Sequence, residues 1–234
     1  MSNSEEEKIT YQLYTYFRSS CSARVLIAAK LKNIHLTQSY IDMGNEEHKT
    51  DFFKSLNPSG AIPLLVIRDA HGETTMSQSI AILEYLEEIG APGQAALLPP
   101  VTSPKDRAKV RELVGIIVMD LYPPTNGRVA QMVREIRGEI SDQVKFVHTI
   151  MANGFSSYEM MLQGCSGKYS FKDTVTMADA CLVPAVDMAQ GYKLDFTPYP
   201  RVLAIYEELM KLEAFKNSSW KVQEDTPERY REAV

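Results

Sequence analysis

Along the first third of the chain the apolar positions switch repeatedly between the period of a strand and that of a helix. Residues 9–17 are dense in aliphatic and aromatic side chains and predict a strand. Cys21, Val25, Ala28 and Ala29 then recur at i, i+4, i+7 and i+8, one face of a helix that Asn33 is suited to end in a left-handed conformation. A second strand is predicted over 36–41, and a short helix over 46–56 that Asn57-Pro58 closes. Leu64-Leu65-Val66-Ile67 is a continuous apolar run, as in a buried strand. Ala70-His71-Gly72 turns the chain into a further extended stretch over 73–76. Ser77 is placed to cap a helix with Ile82, Tyr85, Leu86 and Ile89 along one stripe. The alternation by itself predicts an α/β domain.

The pattern changes after residue 90. Gly90, Pro92, Gly93, Pro99 and Pro100 interrupt any periodicity, and residues 91–103 are expected to be a linker. Everything beyond has the helical period. Ser103-Pro104-Lys105-Asp106 offers an N-cap, a proline at the first helical position and an acid at the third. Pro123-Pro124, followed by Thr125-Asn126-Gly127, is expected to interrupt that helix. A long periodic stretch follows over 129–162. Thr176-Met177-Ala178-Asp179 is a capping box, and a last helix is predicted over 201–212 before a charged tail. No internal repeat is visible.

Composition narrows the possibilities. With 234 residues, 44% hydrophobic and 24% charged, the chain is globular, as one large domain or two small ones. A net charge of −5 argues against a nucleic-acid partner, which would call for a basic face. No apolar run is long enough to span a bilayer. The polar, acidic residues 1–7 are neither a secretory signal nor a transit peptide, so a disordered tail and a cytosolic protein are expected. The final Arg231-Glu232-Ala233-Val234 is not a peroxisomal address. Cys21, Cys165 and Cys181 make no disulfide framework and lack metal-ligand spacing. Arg24, not a second cysteine, stands three positions after Cys21, which excludes a dithiol cycle there. His35, His48, His71 and His148 are scattered, so no zinc site is expected.

The candidate chemistry lies in Tyr16-Phe17-Arg18-Ser19-Ser20-Cys21-Ser22-Ala23-Arg24, where the first strand meets the first helix. Small hydroxyl and thiol groups sit where a helix presents unpaired N–H donors and a partial positive charge, an environment that favours an anion such as a thiolate. A serine in that place also caps the helix in its own right.

Ser-Ser-Cys-Ser, Asn57-Pro58, Ile62-Pro63, the run from Gln78-Ser79 to Glu87-Glu88, Thr174 to Asp179 with Cys181-Leu182-Val183-Pro184, Leu194-Asp195, Thr197-Pro198-Tyr199-Pro200 and Leu212-Glu213-Ala214-Phe215 occur in that order. Together they resemble the zeta-class glutathione transferases over nearly the whole chain. The serine-cysteine run is specific to that class; the other motifs are shared across the superfamily. The resemblance implies an α/β thioredoxin-like domain over 8–90 and an all-α helical domain over 104–225, together the glutathione transferase fold. It also implies a homodimer, with glutathione as cofactor and a small-molecule substrate.

The same resemblance implies site residues. Ser19, with Ser20 beside it, would donate to the glutathione sulfur, and Cys21 would help position the tripeptide unless it is simply a small buried residue of the helix face. Ile62 before a cis Pro63 would pair with the cysteinyl backbone, and Gln78 and Ser79 would hold the γ-glutamyl carboxylate at a helix start. His48 aligns with a glutamine that contacts glutathione in relatives, although a surface histidine is its plain alternative. Arg18, Arg24, Tyr122, Asn126 and Arg128 are the substrate-side candidates, Arg24 having a structural ion pair as its alternative. The implied reaction is the glutathione-dependent cis–trans isomerisation of maleylacetoacetate, with side activity toward α-haloacids. A conjugating transferase and a non-catalytic interaction module are the other readings. Retention of Ser19 and Ser20, and the lack of an appended domain, count against the module.

Some positions depart from the family pattern. Ala23 stands for an aromatic residue, Leu26 and Gly191 for arginines, and Tyr122 for a glutamine. The Gly191 departure removes an expected anion anchor, a role open to Arg128 if it faces the cleft.

Overall fold

The computed structural model describes residues 9–91 and 93–231. Residues 1–7, Pro92 of the expected linker and the last three residues of the chain lie outside that range, as does residue 8, where the first domain was expected to begin. The chain forms two compact units: one runs to Ala95 and takes the chain back from Asn217, and the other is Ala96–Lys216.

The first unit is built on a four-stranded sheet of order β2-β1-β3-β4. Strand β1 (Thr10–Thr15) leads into helix α1 (Ser20–Leu31), then β2 (Thr37–Tyr40), helix α2 (Asp51–Leu56), β3 (Leu64–Asp69), β4 (Gly72–Ser77) and helix α3 (Ser79–Glu88). β2 lies parallel to β1, while β3 is antiparallel to both β1 and β4. The apolar run of β3 is buried on both sides, as its lack of alternation required. Leu64 and Val66 join Ile41 and Phe53 in one core cluster, while Leu65 packs beside Leu13 on the opposite face. Helices α1 and α3 pack together, and at their ends Lys32 forms a nearly buried ion pair with Glu87 at 2.9 Å. Asn33 takes the expected left-handed conformation, φ 52°.

Two local expectations change. Residues 46–56 form not one helix but a 3-10 turn, Glu47–Lys49, and α2, separated by Thr50, whose hydroxyl caps α2 through the Phe53 N–H. Ser77 does not cap α3. It remains in β4 because it pairs with Leu64 in the ladder, and the turn falls on Gln78.

The second unit is helical: α4 (Pro104–Gly115), α5 (Tyr122–Thr125), α6 (Gly127–Arg137), α7 (Ile140–Leu162), α8 (Met177–Gly191), α9 (Pro200–Leu209) and α10 (Glu213–Lys216). Pro123 and Pro124 do not end the helix that begins at Pro104. A π-helical stretch, Ile116–Leu121, carries it into α5, where the prolines fall in the first turn, and the break comes at Asn126. The periodic stretch 129–162 is two helices, parted by Gly138 in the left-handed region (φ 81°). The last predicted helix is α9, which ends at Leu209, and α10 follows beyond the predicted range. Helix α8 is buried on every side from Met177 to Val186, so it is the centre of this unit.

The capping box of α8 forms as expected. Asp179, fully buried, accepts from the N–H of Thr176 (2.8 Å) and of Ser170 (2.9 Å). Burial pushes its carboxyl up from the usual range despite those donors. The helical domain expected over 104–225 stops earlier, because from Asn217 onward the chain packs on the first unit.

Candidate active site

Strand register brings three turns to one end of the sheet. β1 leaves there at Thr15, β3 enters with Leu64 opposite Tyr14, and β4 leaves with Ser77 opposite Leu64. The turns are residues 16–19 into α1, Ile62-Pro63 into β3, and Gln78-Ser79 into α3. Sequence reading singled out all three, and the sheet makes them neighbours.

At the first turn Ser19 N–H donates to the Tyr16 carbonyl (2.9 Å), and Ser19 is the N-cap of α1. Its Oγ accepts from the Ser22 N–H at 3.1 Å. Capping and thiol activation are compatible here, since an accepting hydroxyl oxygen keeps its own proton to donate. Ser20 and Cys21 follow as the first two helical residues, both partly exposed. Cys21 is therefore not a buried residue of the helix face, whereas Val25, Ala28 and Ala29 are.

At the second turn the Ile62-Pro63 peptide is cis, as expected. The Ile62 side chain packs against the Ile41, Phe53, Leu64 and Val66 cluster. Asn57 holds this loop: its Nδ2 donates to the Ala61 carbonyl at 2.6 Å, and its Oδ1 accepts from the N–H and hydroxyl of Ser59. Sequence reading used Asn57 as a helix stop and as part of a family motif and missed this role, although an asparagine before proline was the available signal.

At the third turn Gln78 has φ 73° and ψ 112°, a region non-glycine residues seldom occupy. Such a conformation costs about 1–3 kcal/mol and is kept where the surroundings require it, often at a ligand site. It turns the chain from β4 into α3 in one residue and puts Ser79 first in the helix. Arg24, 2% exposed, reaches across from α1: its Nη1 lies 3.2 Å from Ser79 Oγ and 3.7 Å from Cys21 Sγ. A fixed guanidinium thus supports the hydroxyl of one helix start and the thiol of the other. Of the two readings of Arg24, this placement favours the structural one. The exposed guanidinium of this stretch is Arg18, whose Cζ lies 6.0 Å over the Tyr230 ring.

His48 is in the 3-10 turn before α2, partly exposed; burial, then the Lys49 charge, holds its imidazole below the usual range. In the second unit Tyr122 opens α5, Asn126 caps α6 through the Arg128 N–H at 3.0 Å, and Arg128 is exposed. Leu26 belongs to the core. Gly191 ends α8 with open space around it. Among the described residues no cluster of metal-ligating side chains occurs, and no helix is long and apolar enough to cross a membrane.

A thioredoxin-like sheet with two facing helix starts, a cis-proline turn and a separate all-α unit defines a protein of the glutathione transferase fold. A model of the glutathione S-transferase amino-terminal domain matches residues 18–89. Maleylacetoacetate isomerase of Aspergillus fumigatus is 39% identical over 232 residues, 99% of this chain and 98% of that protein. The holo structure of a zeta-class bacterial maleylpyruvate isomerase superposes with a TM-score of 0.85 at 35% identity, covering 92% of this chain and all of that one. Maleylacetoacetate isomerase from Anaeromyxobacter dehalogenans, solved with glutathione in its active site, gives 0.85 at 30% identity, over 94% and 100% of the two chains. A further structure of that protein holds dicarboxyethyl glutathione and citrate in the active site (TM-score 0.84, 29% identity, 94% and 99% covered). This chain belongs to the zeta class of the glutathione transferases, the family of the maleylacetoacetate isomerases.

The three turns fit the tripeptide. The Ser79 hydroxyl, braced by Arg24 and set at a helix start, suits a carboxylate. The backbone of Ile62 at the second turn suits a peptide, and the Ser19 hydroxyl, which caps through its oxygen, suits a thiolate.

Proposed function

We propose that this chain is a glutathione-dependent isomerase that converts maleylacetoacetate to fumarylacetoacetate. The observation that carries the reading is the Ser19 hydroxyl, which caps α1 through its oxygen while its proton is left for a sulfur, at the sheet end shared by Pro63 and Ser79. Glutathione, when bound, supplies a thiolate that adds reversibly to a cis double bond, allows rotation about the bond thereby made single, and leaves.

The chain's own residues have three tasks in this reading. Ser19 donates to the sulfur, with the Ser20 and Cys21 amides adding the field of the helix start; a hydrogen bond to a charged acceptor contributes about 1.5–3 kcal/mol. Ile62 offers its backbone N–H and C=O to the cysteinyl residue, and Gln78 and Ser79 take the γ-glutamyl carboxylate. Arg18, Tyr122, Asn126 and Arg128 serve the carboxylates and carbonyls of the substrate, with His48 a further contact to glutathione. The reading includes a cytosolic homodimer, which sedimentation and cell fractionation check, and a side activity on α-haloacids, which halide release checks.

The test is turnover of maleylacetone, a stable analogue of the substrate, with and without glutathione. Isomerisation that requires glutathione and does not consume it is the expected result. No isomerisation with retained glutathione binding overturns the reading in favour of a conjugating transferase, the alternative suggested by Gly191 standing in an arginine's place.

A further inference from the structure

The turn that delivers Ser19 is held from the far end of the chain. Phe17 is the second residue of that turn, between the two residues joined by the Tyr16–Ser19 hydrogen bond. Buried N–H groups require a partner. Here the partner is Asp225, whose Oδ2 accepts from the Phe17 N–H at 2.8 Å across 208 residues. Tyr230 stacks on Phe17, with ring centroids 6.3 Å apart and planes 26° apart, and the Arg18 guanidinium sits over the same ring. Trp220 meets Tyr230 from its edge.

The segment that brings these groups is a built element. Thr226 Oγ1 donates to the Trp220 carbonyl (2.7 Å), and Gln223 Nε2 to that of Ser219 (2.8 Å). Arg231 closes it with bonds to the carbonyls of Thr226 and Glu224. Gln223 and Thr226 are both buried. Burial pushes the Asp225 carboxyl up, with Glu224 adding to the shift and the Phe17 N–H opposing it. Burial, then Glu224 and Asp225, push the Tyr40 phenol up to about 12.

We infer that Asp225 is a positioning residue for thiol activation: by holding the Phe17 N–H it sets where the N-cap hydroxyl of Ser19 stands at the glutathione sulfur. Asp225 touches neither glutathione nor substrate in this scheme. It acts through the backbone of residues 16–19, and a misplacement of about 1 Å at a reacting group costs as much as a hundredfold in rate. The acceptor oxygen, not the charge, is what the role requires. The inference rests on the proposed glutathione chemistry of α1, but the clamp itself is testable without it.

The experiment compares wild type, Asp225→Ala, Asp225→Asn and Tyr230→Leu in the full chain. Amide hydrogen exchange is measured without glutathione, glutathione affinity by calorimetry, and kcat and KM separately. In Asp225→Ala the amides of residues 17–20 should exchange at least tenfold faster while those of β3 and α8 do not change. The kcat should fall about ten- to a hundredfold, with a smaller change in glutathione affinity, since the Ile62 and Ser79 anchors are untouched. Asp225→Asn, which keeps an acceptor oxygen, should recover most of both losses, and Tyr230→Leu should show a milder form of both. Unchanged exchange at residues 17–20 in Asp225→Ala overturns the clamp. An Asn variant as impaired as the Ala variant overturns the positioning role in favour of charge. If Asp225→Ala does not fold, the Asn and Tyr230→Leu variants carry the same comparison. Faster exchange with unaltered kcat leaves the hydrogen-bond clamp intact and overturns the positioning role in thiol activation.

Discussion

The cap that Ser19 forms and the thiol activation proposed for it can be separated. Its oxygen caps α1 through the Ser22 N–H at 3.1 Å, and its proton is the one assigned to the glutathione thiolate. Ser19→Ala removes both. Loss of the cap costs about 1 kcal/mol of stability. Loss of a donor to a charged sulfur costs about 1.5–3 kcal/mol, which raises the bound thiol by about one to two pKa units and lowers kcat/KM roughly 10- to 150-fold. Ser19→Gly removes the donor but caps nearly as well, at a cost of only a few tenths of a kcal/mol. The two variants should therefore differ in stability by most of 1 kcal/mol and agree in their catalytic defect. Urea unfolding reads the first quantity; thiolate absorbance of the glutathione complex against pH, with maleylacetone turnover, reads the second. Wild-type thiol ionisation and turnover in Ser19→Gly would refute the assignment. A collapse in Ser20→Ala, with Ser19→Gly intact, would move the role to the neighbouring hydroxyl.

Other consequences follow from the same contacts. Asn57→Ala removes three hydrogen bonds that hold the loop before Pro63 and should cost about 2–3 kcal/mol in urea unfolding. It should also weaken glutathione binding, whereas intact affinity would show that the loop keeps its shape unaided. Asp179 is buried with a raised carboxyl, so the folded chain holds a proton where the unfolded one, near pH 3.9, has lost it. Its contribution to stability is full below that value and is lost as pH rises through the folded value. Asp179→Asn should therefore flatten the slope of stability across that window, and an unchanged slope refutes the linkage. Gly191→Arg has open space and ordinary helical backbone, so it should fold at least as stably as wild type. It should also lower the KM for a dicarboxylic substrate, and an unchanged KM would place residue 191 outside the site.

The sequence by itself determined what depends on nearest neighbours along the chain. The period of apolar positions separated the strands of the first unit from the helices of the second. Short-range polar signals placed the capping box at Thr176 and Asp179 and the left-handed stop at Asn33, because those bonds close within one turn. The three turns at Ser19, Pro63 and Ser79 were legible for the same reason, as motifs. What the tertiary structure decided are pairings between distant residues. The ladder to Leu64 kept Ser77 in β4 and moved the turn to Gln78. The π-helical stretch before Pro123 let a helix run through prolines that would otherwise break it, and Gly138 divided a period that looked continuous. Arg24 could be seen beside the serines, but only the packing of α1 on α3 sets its guanidinium against Ser79. The bond from the Phe17 N–H to Asp225 was invisible in spacing. A backbone donor carries no sequence signal, so its partner is settled only when a chain end 208 residues away folds back onto it.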